Sequence, residues 1–221
     1  MRKTLVTLAL LAAVPVAAQQ PQSQEKDPTV KVKSAGLPAG WTVRLDDKER
    51  RYTADDTRFV SMGSGYHVTS GPAAVYYSKK DVYTGPFTIG GSFRQTKAPT
   101  HPEAYGLFIG GSKLDTPEQQ YMYFLVRGDG KYFVAHRAGS EVHKLVEWTE
   151  SAAVKKQDEA GVATNALAIQ TTKDSVLLSV NGQRVQSYAK SALHGFNTDG
   201  QAGIRVNHNL DVHVADFGIK K

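Results

Sequence analysis

The chain has 221 residues, of which 40% are hydrophobic, 22% are charged and none is cysteine. This composition excludes a disordered tail protein, a disulfide framework, a zinc ribbon and a thiol nucleophile. The formal net charge of +6 is spread over scattered basic pairs rather than a basic stripe, so the sequence indicates no nucleic-acid partner.

Residues 1–18 have the layout of a cleavable secretory signal peptide. Arg2 and Lys3 precede an apolar stretch over residues 5–14, and small residues come just before Gln19. The apolar stretch is shorter than the roughly 20 residues that a membrane-spanning helix requires. We therefore expect cleavage near Gln19, no membrane span after cleavage, and a mature protein in the periplasm or outside the cell.

Residues 19–36 are rich in Gln, Pro, Ser and Lys, which predicts a flexible leader before a single domain over residues 37–221. Within the domain, short β-branched and aromatic runs alternate with turn residues, as in strands joined by tight loops. The predicted strands cover residues 41–45, 59–62, 66–70, 73–77, 87–95, 105–109, 120–127, 131–137, 142–147, 166–171, 175–180, 184–188, 202–206 and 210–219. Helical turns are predicted over 151–157 and 189–193. Many short antiparallel strands indicate an all-β sandwich of two sheets.

Two hairpins are well marked in this pattern. The first joins residues 120–127 to 131–137 through Gly128-Asp129-Gly130, and the second turns at Asn181-Gly182, a pair suited to a type I′ turn. The stretch over residues 120–137 is apolar or aromatic at both odd and even positions. Such a hairpin is covered on both faces, or has one face in the core and the other in a binding groove.

Several motifs occur in an order that resembles the concanavalin A-like lectin/glucanase superfamily. They are Tyr105-Gly-Leu-Phe-Ile-Gly-Gly, Tyr121-Met-Tyr-Phe-Leu-Val-Arg-Gly-Asp-Gly, Asn165-Ala-Leu-Ala-Ile, Leu178-Ser-Val-Asn-Gly, Gly203-Ile-Arg-Val and Val214-Ala-Asp-Phe-Gly-Ile. Within the superfamily, the chain looks most like the bacterial secreted domain associated with 3-keto-disaccharide hydrolysis and like laminin-G-like domains. The resemblance covers residues 41–221. It implies a jelly-roll sandwich of two curved antiparallel sheets whose concave face receives saccharide, while the fold alone does not decide the function.

Catalytic and metal motifs are not found in the sequence. There is no Glu-x-Asp-x-x-Glu strand of a retaining glucanase and no Gly-x-Ser-x-Gly elbow. The acidic sets at residues 46–49 and 147–150 are interpreted as solvated turns or strand ends. The seven histidines show no metal-binding spacing, and His208 and His213 are five residues apart, on opposite faces of a strand. A calcium site at residues 207–211 is conceivable, but a turn with self-capping Asn side chains is the preferred interpretation, so no cofactor is expected.

The first hairpin supplies the candidate ligand-binding residues. Tyr121, Tyr123 and Arg127 share one strand face, whereas Met122, Phe124 and Val126 share the other, which is the predicted core face. A two-residue turn at Asp129-Gly130 would place Tyr123 opposite His136. A three-residue loop would instead bring Phe133 and Arg137 to the Tyr121 face, and the sequence leaves both registers open.

Aromatic rings and cations on one face suit a sugar, because C–H faces stack on rings while charged groups meet hydroxyls. Groove side chains of this kind are expected to be exposed in the free protein. The predicted ligand-binding set is Tyr121, Tyr123, Arg127, His136, Arg94 and Glu103, with His101 near Glu103. The sequence thus predicts an exported saccharide-binding sandwich without a catalytic motif. A hydrolase of 3-keto-glycosides and a laminin-G-like protein-interaction module remain as alternatives.

Overall fold

A computed structural model describes residues 31–33, 35–46 and 51–221. The predicted signal peptide at residues 1–18 and most of the predicted leader at residues 19–36 lie outside the described residues. None of the helices in the described part is long and apolar enough to cross a membrane.

The described chain forms two antiparallel sheets of seven strands each. In chain order, the strands are β1 (Trp41–Leu45), β2 (Thr57–Met62), β3 (Gly65–Ser70), β4 (Ala74–Ser78), β5 (Phe87–Gln95), β6 (Ala104–Ser112), β7 (Gln120–Arg127), β8 (Lys131–Ala138), β9 (Glu141–Glu150), β10 (Ala163–Thr171), β11 (Ser175–Val180), β12 (Gln183–Ala189), β13 (Gln201–Val206) and β14 (Leu210–Lys220). The first sheet has the order β1-β4-β13-β6-β7-β8-β9, and the second has the order β12-β11-β10-β5-β14-β3-β2. The predicted all-β sandwich is confirmed.

The helical content differs from the prediction at two places: an unpredicted 3₁₀ turn lies at Ala54–Asp56, and one of the two predicted helical turns is absent. A 3₁₀ turn is present at Lys190–Ala192, within the predicted helical turn at residues 189–193. The other predicted helical turn, over residues 151–157, is not helical. Its backbone makes a tight turn in which the Val154 N–H donates to the Ser151 carbonyl, while the Gln157 N–H donates to Gly128 on the first hairpin loop. The bond to Gly128 is long-range and holds the segment as a loop against the first hairpin.

The main core lies between the two sheets and follows the period-two pattern of the strands. On β5, Phe87, Ile89 and Phe93 are buried, while Arg94 is exposed. Phe124 of β7 and Ile204 of β13 enter the same core from the first sheet, and both are fully buried. The predicted core face of β7 is therefore confirmed.

The first hairpin adopts the three-residue loop, which decides the register that the sequence left open. Arg127 pairs with Lys131, and the Gly130 N–H donates to the Arg127 carbonyl. Gly130 has φ of +88°, a left-handed conformation that glycine adopts without strain. In this register Tyr121 lies opposite Arg137, and Leu125 lies opposite Phe133.

A second hydrophobic cluster covers the outer face of the first sheet, which is the face directed away from the second sheet. Its buried members are Val75, Tyr77, Ala104, Phe108, Leu114, Tyr121, Tyr123, Leu125, Phe133 and Ala135, with Val142 and Trp148 packed against them. The two-sided apolar character of β7 and β8 thus has a structural cause, because both faces of these strands carry packed side chains.

The chain crosses between the sheets at several places, and two of these crossovers lie side by side at one end of the sandwich. It leaves β5 of the second sheet for β6 of the first through residues 96–103, and it leaves β13 of the first for β14 of the second through residues 207–209. These crossovers run close together because β6 pairs with β13 and β5 pairs with β14. Glu103 and His208 lie on this pair of crossovers.

Candidate functional site

A row of aromatic rings runs across the outer face of the first sheet, from β6 to β9. Neighbouring ring centroids are 4.9 to 6.0 Å apart along the row, which consists of Phe108, Tyr121, Tyr123, Phe133 and Trp148. Tyr121 is 1% exposed and Tyr123 is 5% exposed. The expectation that Tyr121 and Tyr123 are exposed in the free protein is therefore wrong. Both rings belong to a closely packed layer of side chains on the outer face of the first sheet, which we call the packed floor.

The loop after β6 contributes to this burial. A guanidinium nitrogen of Arg44 on β1 donates to the carbonyls of Leu114 and Thr116 at 2.7 and 2.9 Å. Leu114 itself packs in the outer cluster. Sequence reasoning did not foresee this contact, because it joins residues 70 and more positions apart in the chain.

A buried charged network lies beside the aromatic row. The Asp46 carboxylate pairs with Arg137 through one oxygen and with Arg205 through the other, the second contact being 2.9 Å long. Arg205 also donates to the Tyr121 hydroxyl at 2.8 Å, and its guanidinium carbon lies 4.7 Å from the Tyr123 ring centroid. Each charge is therefore held by an opposite charge, as burial of ions requires.

Asp46 corrects an interpretation made from the sequence. It belongs to the acidic set at residues 46–49 that was interpreted as a solvated turn, yet its side chain is only 7% exposed. The position follows from strand alternation, because Asp46 comes directly after β1 and continues the outer parity of Arg44. Its two arginine partners come from β8 and β13, so no local motif could have revealed the network.

Trp148 and Arg127 form the accessible edge of the outer face. The Trp148 ring is half-buried and stacks on Phe133 at 4.9 Å, and the Arg127 guanidinium carbon lies 4.3 Å from its centroid. Asp129 holds Arg127 from the hairpin loop through two hydrogen bonds of 2.9 and 2.6 Å. Burial would raise the pKa of Asp129, but the hydrogen bonds and charge of Arg127 outweigh it and lower that pKa. Sequence reasoning selected Arg127 and missed Trp148.

His136 and Arg94, two members of the predicted set, do not lie on the outer face of the first sheet. His136 pairs with Met122 and faces the opposite way from Tyr121, with its ring 4.6 Å from the Phe196 ring. Partial burial, followed by the nearby charge of His143, lowers its pKa. Arg94 projects from β5 on the outer side of the second sheet, so neither residue joins the aromatic row.

Arg94 instead neighbours a polar cluster of His67, Asp211 and His213 on the second sheet. The Asp211 carboxylate accepts hydrogen bonds from Thr96 and Thr69 and contacts His67. Burial alone would raise the pKa of Asp211, but these hydrogen bonds lower it below its usual value. Burial, then the charges of His67 and Arg94, lowers the pKa of His213.

Glu103 lies at the crossover end with two histidines rather than in a groove. Its carboxylate is 2.8 Å from His101 Nε2 through one oxygen and 3.0 Å from His208 Nδ1 through the other. His208 and His213 fall in separate clusters, in agreement with their spacing. The conceivable calcium ligands do not share one environment, since Asp211 belongs to the His67 cluster, while Asn209 has φ of +56° and its N–H donates to Gly71.

A cavity of about 230 Å³ lies at the end of the sandwich opposite the crossovers of Glu103 and His208. Its wall includes Trp41, Tyr66, Tyr83 and Phe217 together with the acidic side chain of Asp81. None of the predicted ligand-binding residues lines it.

No family model matches the chain, and no curated protein matches it significantly. Its fold is similar to that of carbohydrate binding module CBM66 from Bacillus subtilis, with a TM-score of 0.59 and 12% identity over 86% of this chain and 99% of that one. It is also similar to a glycoside hydrolase of family 16 from Bacteroides ovatus, with a TM-score of 0.56 and 10% identity over 81% and 93%. Alginate lyase A1-II′ of polysaccharide lyase family 7 gives a TM-score of 0.55 and 11% identity over 82% and 94%.

The chain has a concanavalin A-like jelly-roll fold. At these levels of identity the comparisons establish the fold alone, and they do not confirm the finer resemblance to the 3-keto-disaccharide hydrolase domain.

Proposed function

We propose that the protein binds a saccharide on the outer face of the first sheet, at the edge formed by Trp148 and Arg127. The observation that carries the proposal is the half-buried Trp148 ring, which is fixed by the Phe133 ring stacked on it and by the Arg127 guanidinium over it. The exposed part of this fixed ring offers apolar contact for sugar C–H groups, and the guanidinium offers hydrogen bonds for hydroxyls or carboxylates. The names of the proteins with similar folds support this, since they include a carbohydrate binding module, a glycoside hydrolase and an alginate lyase.

The charge of the face favours an acidic saccharide. Among the described residues, the cations of this face include Arg44, Arg127, Lys131, Arg137 and Arg205, and its carboxylates include Asp46, Asp129 and Glu150. The excess of positive charge attracts a carboxylated chain and disfavours cationic ligands. We therefore expect a polyuronate to bind more tightly than a neutral polysaccharide, with an affinity that falls as the salt concentration rises.

Binding without catalysis is the favoured form of this proposal. Most glycosidases, whether retaining or inverting, use two carboxyl groups that flank the bond that is cleaved. On the described part of this face, Asp46 is held by two arginines and Asp129 by a third, so each carboxylate serves to position a cation. A 3-keto-glycoside hydrolase would need a different acid and base, and a laminin-G-like role would need a protein ligand.

The test is a binding panel with purified mature protein, using polyuronates (alginate and polygalacturonate) and neutral polymers (β-glucan and levan). We expect binding to at least one polyuronate, a loss of at least tenfold in Trp148→Ala, and no loss in Arg94→Ala on the opposite sheet. Arg94→Ala is the control because it truncates a large exposed side chain on a face that the proposal leaves uninvolved. Absence of binding to every polymer, or equal losses in both variants, would refute the proposal. Product analysis of the bound polymer separates binding from cleavage.

We also propose that the mature protein acts outside the cytoplasm, on the basis of the predicted signal peptide at residues 1–18. This agrees with a polymeric saccharide ligand, because an exported protein has access to polysaccharides that do not enter the cell.

A further inference from the structure

Two histidines and a glutamate meet where the two crossovers run side by side. His101 and Glu103 come from the crossover between β5 and β6, and His208 comes from the turn between β13 and β14. The Nε2 atoms of the two histidines are 3.4 Å apart, and the Glu103 carboxylate contacts both rings. The side chains of Glu103 and His208 are less than a tenth exposed, whereas that of His101 is 28% exposed. The cluster is therefore buried on one side and open on the other.

We propose that His101, Glu103 and His208 form a binding site for a divalent transition-metal ion of the zinc class. Two nitrogens that are each about 2.0 to 2.1 Å from a tetrahedral zinc ion lie about 3.3 to 3.4 Å apart. The observed separation of the two Nε2 atoms is 3.4 Å, so the rings already have the spacing that one shared ion imposes. The Glu103 oxygen, at 2.8 Å from His101 Nε2, must move outward by roughly 0.5 Å to become the third ligand.

The two histidines can supply the unprotonated nitrogens that metal binding requires. Without a metal ion, the Glu103 carboxylate oxygens lie 2.8 Å from His101 Nε2 and 3.0 Å from His208 Nδ1, and the His208 Nε2 atom lies 3.4 Å from His101 Nε2. His101 Nδ1 lies 3.1 Å from the Thr100 hydroxyl. Moving the His101 proton from Nε2 to Nδ1 frees Nε2 for the ion and gives Nδ1 a hydrogen bond to the Thr100 oxygen. Metal-bound histidines commonly hold their second nitrogen in this way.

The ligand set also defines the class of ion. Two imidazoles and one carboxylate suit zinc and its neighbours, while calcium and magnesium prefer oxygen ligands alone. Three protein ligands leave at least one coordination position for water or an incoming ligand, on the side where His101 is exposed.

The other cluster, formed by His67, Asp211 and His213, is a poorer metal site. The Arg94 cation lies next to His213 and opposes a second positive charge, and the Asp211 oxygens already accept hydrogen bonds from Thr96 and Thr69. This cluster supplies a matched control, because it contains the same residue types on the same fold.

A metal ion at the crossovers would join two segments that are about 100 residues apart in sequence. Such a link adds the free energy of metal binding to that of folding, so it stabilises the folded state in which the two crossovers lie side by side. Ala104 follows Glu103 directly and pairs with Arg127, so the site adjoins the rim of the outer face. The inference is independent of the proposed saccharide function, because it rests on a different set of residues.

The test uses untagged protein that has been treated with a chelator. Isothermal titration calorimetry measures Zn²⁺ binding, and thermal denaturation with and without Zn²⁺ measures its effect on stability. We expect one equivalent of Zn²⁺ to bind, a rise in the melting temperature, and no comparable effect of Mg²⁺ or Ca²⁺. Co²⁺ in place of Zn²⁺ should give the visible absorption bands of a low-coordinate site with nitrogen and oxygen ligands.

The variants separate this cluster from the other one. His208→Ala and Glu103→Gln should each weaken Zn²⁺ binding by at least about 100-fold, whereas His213→Ala should retain it. Glu103→Gln keeps the side-chain shape and so remains informative if His208→Ala fails to fold. The inference is overturned if no stoichiometric Zn²⁺ binds to the wild type, if His213→Ala loses binding as His208→Ala does, or if Glu103→Gln binds Zn²⁺ as the wild type does.

Discussion

Replacement of Asp46 by asparagine removes the one carboxylate that Arg137 and Arg205 share. Asparagine has nearly the same size, so the change leaves the packing in place and deletes a negative charge between two buried guanidinium groups. The Arg205 and Arg137 side chains are 4% and 8% exposed, so water replaces little of the lost interaction. Breaking a buried ion pair from one side costs about 3 to 5 kcal/mol. For a domain of this size, that loss corresponds to a fall in melting temperature of roughly 6 to 20 °C.

Urea denaturation of wild type and Asp46→Asn measures this difference in the free energy of unfolding. The control is Asp129→Asn, which removes a carboxylate from Arg127 on the same face. The side chain of Asp129 is 33% exposed, so its pair is screened by solvent and its removal should cost at most about 1 kcal/mol. Equal and small losses in the two variants would show that Asp46 does not hold a buried network, and the description of the outer face as a packed floor would then be wrong.

Three further predictions concern the core, the second sheet and the N-terminus. Phe124→Ala and Tyr123→Ala should both destabilise the fold, because each ring is buried on its own face of β7. The loss for Phe124→Ala should be about 3 to 5 kcal/mol. If urea denaturation shows Tyr123→Ala to be nearly neutral, the outer face is not a packed floor. The lowered pKa of Asp211 stabilises the fold above the unfolded-state pKa of about 3.9, and this contribution is lost as the pH falls through the folded pKa. Asp211→Asn should therefore destabilise the protein at pH 7, and its difference from wild type should shrink below about pH 4; a pH-independent difference would refute this. Mass spectrometry of protein secreted from a bacterial host should find a new N-terminus near Gln19, and an intact Met1 in the mature fraction would refute cleavage.

Most of the fold could be predicted from the sequence, because strand alternation and turn residues are local signals. Asn181-Gly182 predicted its turn, and Asn181 indeed has φ of +51°. The first hairpin was different, because two and three residues can both close a loop at Gly128-Asp129-Gly130. The three-residue loop is found, and its choice decides whether His136 or Arg137 joins the Tyr121 face.

The candidate sites could be predicted only in part, because their side chains come from strands that are distant in sequence. Tyr121, Tyr123 and Arg127 lie on one strand face, so period-two reasoning grouped them correctly. Asp46 meets Arg205 only because β1 and β13 both flank β4, an arrangement that depends on the complete strand order. The contact of Glu103 with His208 likewise depends on two crossovers that run side by side, which no spacing in the sequence encodes.

The position of the saccharide is tested most directly by the fluorescence of the two tryptophans, which lie at different places. Trp148 is at the proposed binding edge, while Trp41 lines the cavity at the far end of the sandwich. A titration with the polyuronate bound in the panel should change the emission of Trp41→Phe, in which Trp148 alone reports, with the same dissociation constant as the wild type. It should leave the emission of Trp148→Phe unchanged. A saturable signal from Trp41 together with a silent Trp148 would place the ligand in the cavity and contradict binding on the outer face.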